Sequence, residues 1–283
     1  MLRFNNGLTS AGAALTDTVA AEIGAEEGEA AWTRLLRMLP SVGEQFRDAR
    51  PALPFVHARR LAFRSREVSG PAWAMLPSAA GVIDPLLSSG FPLTLLGIAR
   101  LVEVLSTTSP GREREDALRT YAATTRDELD ITERLIGSLY ATMGDPVLFT
   151  RLSLAYFAAA SYSEAARRLG RPGIAPGFLL HAHPRFGPEL RACSEIAAGR
   201  PLADTRESLL ARIDRLIEPF DVAGLLDGSR RGWHPVLAQD LIENRSKLDA
   251  TAEEIYSLLA RCGFAESHQS SVSSAGGPTA NNA

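Results

Sequence analysis

Read for the spacing of its apolar residues, the chain changes texture twice. Met1 to Ala14 reads as extended chain that turns back at Asn5-Asn6-Gly7, since Asn and Gly accept the positive φ of tight hairpin turns. A lone hairpin is marginal in water, so this one is expected to belong to a larger sheet. From Asp17 to Met38 the spacing is helical, with Trp32, Leu35, Leu36 and Leu39 on one face and Pro40 as the stop; a short helix follows over Val42 to Arg47. Between Phe55 and Met75 the period returns to two. Val56, Ala58, Arg60, Ala62 and Arg64 alternate with His57, Arg59, Leu61 and Phe63, which predicts strands, and Ala72 to Leu76 reads as a short buried strand after the Gly70-Pro71 turn.

Helices dominate thereafter. Phe91 to Leu105 is apolar nearly all round, the pattern of a core helix. Ser109-Pro110 supplies a start signal for a long helix with Leu118, Ala122, Leu129, Ile136 and Tyr140 on its buried face. Asp145-Pro146 repeats that signal for a helix carrying Leu148, Phe149, Leu152, Tyr156 and Phe157, which ends at Arg167-Arg168-Leu169-Gly170. Asp204 with Glu207, and Thr251 with Glu254, have capping-box spacing at the heads of two more helices. The segment Glu266 to Ala283 is rich in Ser, Gly, Asn and Ala and predicts a disordered tail. The fold class is therefore mainly α with a small β portion.

Composition narrows the function classes. The 283 residues, 45% hydrophobic and 22% charged, describe a globular chain and exclude collagen, disorder throughout and a disulfide scaffold. Arg100 and Glu103 interrupt the longest apolar run, so no membrane span is expected. A net charge of −3 gives no footprint for nucleic acid, although all the basic residues except Lys247 are arginine. Cys193 and Cys262 stand alone, without metal-ligand spacing, which fits a reducing cytoplasm. The opening residues lack the apolar core of a secretory signal.

The stretch from Leu76 to Pro92 carries the chemistry. It reads as a buried strand ending in small residues, a loop with Asp84-Pro85, and entry into an apolar helix through Ser88-Ser89-Gly90. Small side chains let a ligand approach the backbone, and the first N–H groups of a helix favour an anion or an electron-rich carbonyl. Such a segment is also an ordinary tight turn in many proteins.

Ala79-Ala80-Gly81-Val82-Ile83-Asp84-Pro85-Leu86-Leu87-Ser88-Ser89-Gly90 resembles the second flavin-contact segment of FAD-dependent halogenases and their aromatic-monooxygenase relatives, the tryptophan-halogenase-like superfamily. Leu2 to Gly12 is similar to the segment just after that family's Trp-x-Trp motif, and the downstream helices are similar in kind to its C-terminal helical region. The resemblance covers most of residues 1 to 264. It implies the C-terminal part of a FAD-binding monooxygenase fold, α/β and p-hydroxybenzoate-hydroxylase-like. Residues 1–75 would be the remnant of a substrate-side sheet, 76–108 the flavin-contact loop and core helix, 109–264 the helical region and 265–283 the tail. The implied cofactor is FAD, contacted by Ser78, Ala79, Gly81, Asp84, Pro85, Ser88, Ser89 and Gly90. In the family, reduced flavin reacts with O₂ and the oxidant reaches an electron-rich aromatic substrate, free or carrier-bound.

Two positions depart from the family pattern. Ser78 stands where the family has an aspartate for the ribityl hydroxyls, and Leu87 where tryptophan-type halogenases place a catalytic glutamate, which leans toward the phenolic branch or plain oxygenation. No Gly-x-Gly-x-x-Gly follows an N-terminal strand, so the dinucleotide-binding half is missing, as are the halogenase lysine and the Trp-x-Trp motif. A truncated enzyme is the expectation, with a separate FAD-binding half or a flavin reductase as partner. The alternative is a non-catalytic helical interaction protein or pseudoenzyme.

Other candidates are His181-x-His183, which could meet a metal on a strand but is followed by Pro184 and is expected to order its loop; Trp73 and Trp233 as stacking platforms or core residues; Arg230-Arg231 as a phosphate or carrier contact or a solvated turn; and His57 or Arg59-Arg60 as pocket lining.

Overall fold

The computed structural model describes residues 1–230 and 237–264. The expected tail, Trp233 and Arg231 lie outside the described residues. The chain is mainly helical with a small β portion, and it forms two compact units, Met1–Leu61 and the part beginning at Ala62.

In the first unit, β1 (Leu2–Arg3) pairs antiparallel with β2 (Thr9–Ser10). Gly7 takes φ +82° at the turn, and Asn6 Oδ1 accepts the Leu8 N–H at 3.1 Å. The hairpin forms as expected, but among the described residues no larger sheet contains it. The helix expected over Asp17 to Met38 is two helices, α1 (Asp17–Glu22) and α2 (Glu29–Met38). Gly24 and Gly28 sit between them at φ +58° and +61°, a left-handed backbone that cannot continue a right-handed helix. Ile23, Ala31 and Leu35 form a small core beside Trp32, whose ring meets Phe46 edge-on at 5.4 Å. Pro40 stops α2 and also opens α3 (Pro40–Gln45), where its missing N–H costs nothing.

The strands expected from the alternation at Phe55 to Arg64 are absent except at their end. Residues 55–62 are irregular and exposed, because both sides of the alternation carry Arg or His and no partner strand satisfies their backbone. Pairing begins with β3 (Phe63–Arg64). It is followed by the hairpin of β4 (Ser69–Gly70) and β5 (Trp73–Ala74), in which Trp73 is 45% exposed, so Ala72 to Leu76 is not a buried strand. Pro77 opens a single helical turn, α4 (Pro77–Ala80), where extended chain was expected, and β6 (Gly81–Val82) then pairs with β3, Arg64 opposite Gly81.

The helices of this unit are α5 (Gly90–Thr107), α6 (Arg112–Ala141), α7 (Pro146–Arg168), α8 (Phe186–Ala198), α9 (Ala203–Ile217), α10 (Ala238–Glu243) and α11 (Ala252–Arg261). α6 is the central element, packed on α5 and α8, while α7 packs on α9. Its buried face holds Leu118, Ala122, Leu129 and Ile136 as expected, together with Leu135 and Leu139, but Tyr140 is exposed. α6 begins after Gly111 at φ +116°, not at Ser109-Pro110. Asp145 caps α7, with Pro146 in its first turn, and Gly170 follows its end at φ +73°. Thr251 and Glu254 make the reciprocal capping box of α11, whereas at α9 the cap position falls on Leu202 and Asp204 lies inside the first turn.

α5 is not a core helix. Only Leu93 and Gly97 are buried, while Phe91, Leu95, Ile98, Val102 and Leu105 form an exposed stripe at three- and four-residue spacing. The helix is apolar on two opposite faces, one of which packs. By length and composition it is also long and apolar enough to cross a membrane.

Candidate functional site

The segment from Ser78 to Gly90 is built from small residues because the chain changes direction three times within it, from turn to strand, strand to loop and loop to helix. Ser78 and Ala79 lie exposed on α4. Gly81 is buried, and a Cβ there would crowd Arg64 Cδ at 2.9 Å and both Leu129 Cδ1 and the Phe63 carbonyl at 3.2 Å. Its bare backbone is therefore required by the β3–β6 pairing and by the approach to α6.

Asp84 shapes the loop. Its Oδ1 accepts the Leu86 N–H at 2.7 Å, and its Oδ2 accepts the Tyr140 hydroxyl at 2.8 Å, tying the loop to the C-terminal turn of α6. Although the side chain as a whole is exposed, partial desolvation of its hydroxyl end, together with the Asp84 carboxylate it donates to, pushes the Tyr140 hydroxyl up to about 12. A second phenol, that of Tyr156 on α7, donates to the Leu87 carbonyl at 3.1 Å. The loop is thus held at both ends by tyrosines that its own sequence does not reveal.

Pro85, Ser88 and Gly90 are exposed and Ser89 is buried. Ser88 takes φ +52°, uncommon for a residue with a Cβ. No side chain caps α5; Phe91 N–H donates to the Ser88 carbonyl at 3.4 Å and Pro92 has no N–H, so among the described residues the N–H groups of Ser89 and Gly90 are the ones at this helix start without a backbone acceptor. At Gly90 the backbone φ is not left-handed, and an added Cβ would meet nothing within 4 Å. Unlike Gly81, Gly90 has no reason within the fold to be glycine.

Behind this surface lies a charged cluster. Glu128 of α6, completely buried, receives both arms of the Arg100 guanidinium from α5, one at 2.6 Å, and the backbone N–H of Phe178 at 2.6 Å. His181 Nδ1 is 3.8 Å from the same carboxylate, and burial pulls this imidazole below its ordinary value. Leu179 and Leu180, just before it, both take φ +52°. The sequence carried a trace of this arrangement, since an arginine inside an apolar helix needs a buried carboxylate partner.

The remaining candidates disperse. His183 Nδ1 accepts from the N–H groups of Arg185 and Phe186 at 3.3 and 3.2 Å, ordering the start of α8. Among the described residues no group of three metal-ligating side chains assembles. Arg230 is neither a solvated turn residue nor a spare cation, because it pairs with Asp240 and Asp227 and bonds the Ala223 carbonyl. His57, Arg59 and Arg60 lie on exposed irregular chain. Cys193 is buried, its thiol pushed up to about 11, and Cys262 is exposed.

No protein-family model matches the chain. It is 36% identical over 109 residues to the monodechloroaminopyrrolnitrin halogenase of Pseudomonas fluorescens, a match covering 36% of this chain and 19% of that enzyme. The chain therefore matches about a fifth of the relative's length. The likeness is to a halogenase, over part of each chain.

Proposed function

We propose that this chain forms the ring-side part of the flavin site in a halogenase-type, FAD-dependent oxidoreductase acting on an electron-rich aromatic substrate. The observation that carries this reading is Gly90. It opens an 18-residue helix without a side-chain cap, beside space that its own fold leaves free. The partial identity with a halogenase and the wording of residues 79–90 support the same assignment.

In this reading, the N–H groups of Ser89 and Gly90 are offered to the polar edge of the ring, while Ser88 N–H holds the turn through the Pro85 carbonyl at 3.1 Å. Pro85 and Ala79 present apolar and small surface beside it, and Ser78 offers one hydroxyl to the sugar-alcohol chain. Asp84 positions the loop, since Leu86 and Tyr140 already occupy its oxygens. Bound FAD would supply the redox chemistry with O₂, and the chain would orient the ring and keep water from it. The pyrophosphate seat must come from a dinucleotide-binding part outside these residues, in the same polypeptide or a separate one, and the exposed stripe of α5 is the surface that part would cover.

Saturation-transfer NMR with riboflavin tests the reading. Transfer to the isoalloxazine protons that disappears in Gly90→Val, with the fold retained, supports it; equal transfer in both proteins contradicts it.

A further inference from the structure

A second feature borders the loop, sharing Tyr156 with it, and does not depend on the flavin reading. A cavity of about 130 Å³ opens between α7, the first turn of α5 and the turn at Gly177 to Leu179. Its walls are largely apolar, with Pro92, Leu179 and the rings of Tyr156 and Phe178, which meet edge-on at 6.2 Å. The size is close to the roughly 150 Å³ that accommodates a benzene-sized guest.

Three polar residues of α7 line the same space, Ser163, Glu164 and, one helical turn from Ser163, Arg167. Ser163 is 3% exposed and its Oγ has no hydrogen-bond partner. A helix serine ordinarily bonds the carbonyl four residues back, as Ser153 does to Phe149 at 2.9 Å and Ser161 to Phe157 at 2.8 Å. Ser163 forgoes that bond and lines the cavity. Arg167, more exposed than Ser163, has its nearest carboxylate at 3.9 Å, in Glu164, and Arg168 Nε holds the other Glu164 oxygen at 2.6 Å. Glu164 is thus engaged by Arg168, outside the lining, and the Arg167 guanidinium keeps donors free for a second anion.

We propose that this cavity binds a short-chain monocarboxylate. Ser163 Oγ and the Arg167 guanidinium take the two carboxylate oxygens, and a tail of about five carbons fills the space between Tyr156, Phe178 and Leu179.

The test uses hexanoate and hexan-1-ol as probes, with affinities measured by NMR titration. The wild-type chain binds hexanoate more tightly than the alcohol. Arg167→Gln, at a partly exposed position on the cavity mouth, weakens hexanoate by about tenfold or more and leaves hexan-1-ol unchanged. Ser163→Leu fills the cavity and abolishes binding of both probes; should that variant fail to fold, the Arg167→Gln comparison still decides. No hexanoate binding at millimolar concentration, equal binding of the two probes, or undiminished hexanoate binding by Arg167→Gln overturns the proposal.

Discussion

Arg100 of α5 grips both oxygens of Glu128 on α6, and that carboxylate is completely buried. This pair explains how a helix with an exposed apolar stripe keeps its orientation. The stripe itself contributes nothing to packing within the fold, whereas a buried ion pair has one satisfactory geometry.

Removing one member should therefore be expensive. Arg100→Met is expected to cost about 3–5 kcal/mol, because it leaves the Glu128 charge buried with the Phe178 N–H as its remaining hydrogen-bond donor and the His181 imidazole 3.8 Å away. Adding Glu128→Leu should recover only part of that loss, since the Phe178 N–H then has no acceptor. Urea unfolding of the single and double variants measures both; a loss under about 1 kcal/mol for Arg100→Met would refute this role for the pair.

His181 makes the fold sensitive to acid. Its folded value lies below the ordinary imidazole value of about 6.5, chiefly through burial, so the unfolded chain takes up the proton first as pH falls. Above that value both states are neutral and this residue adds no pH dependence; below it the fold loses stability. His183 is shifted in the same direction by burial. His181→Asn should thus flatten, without abolishing, the fall in thermal midpoint between pH 7 and pH 5, and an unchanged slope would refute the assignment.

Asp145 works in the opposite sense. Hydrogen bonding to Arg206, aided by the backbone of α7, holds its carboxyl at about 2. The stability it contributes is complete above the ordinary carboxylate value of about 3.9 and is lost as pH falls through about 2. Asp145→Ala, losing both the cap and the pair, should cost roughly 1–2 kcal/mol; Asp145→Asn, which keeps a capping oxygen, should cost less. Chemical denaturation at pH 7 ranks the two.

Two glycines on one helix should behave differently. A Cβ at Gly97 would run into the Pro77 ring and lie 3.2 Å from the Tyr121 hydroxyl, so Gly97→Ala is expected to destabilise by about 1–3 kcal/mol. A Cβ at Gly90 meets nothing within 4 Å, so Gly90→Val should leave the thermal midpoint nearly unchanged. Equal losses at both positions would mean that the helix start is packed.

The chain should purify without stoichiometric flavin, because ring contacts alone rarely hold a dinucleotide whose pyrophosphate has no seat. An absorbance band near that of bound flavin at equimolar intensity would overturn this expectation.

Much of the helical unit was legible in the sequence because it rests on local rules: Asp145-Pro146, Gly170 and the Thr251 to Glu254 box each fix an end through neighbouring residues. The failures share a cause as well. Alternation at Val56 to Arg64 specifies a strand only if another strand accepts its backbone, and Phe91 to Leu105 is a core helix only if something covers its second face. Spacing alone cannot supply either partner. For the site, the small residues and Asp84-Pro85 were visible, but the tyrosines holding the loop, Tyr140 and Tyr156, lie 56 and 69 residues from their acceptors Asp84 and Leu87, and only the folded chain joins them.

The flavin reading stands or falls on whether Gly90 is bare for the sake of the ring. Riboflavin saturation transfer, run on the wild-type chain and on Gly90→Val with thermal midpoints recorded beside it, decides the matter. Transfer to the isoalloxazine protons of riboflavin is expected in the wild type, with its loss in Gly90→Val and closely similar midpoints. Absence of transfer in the wild type, or its persistence in Gly90→Val, would show that this helix start does not meet a flavin.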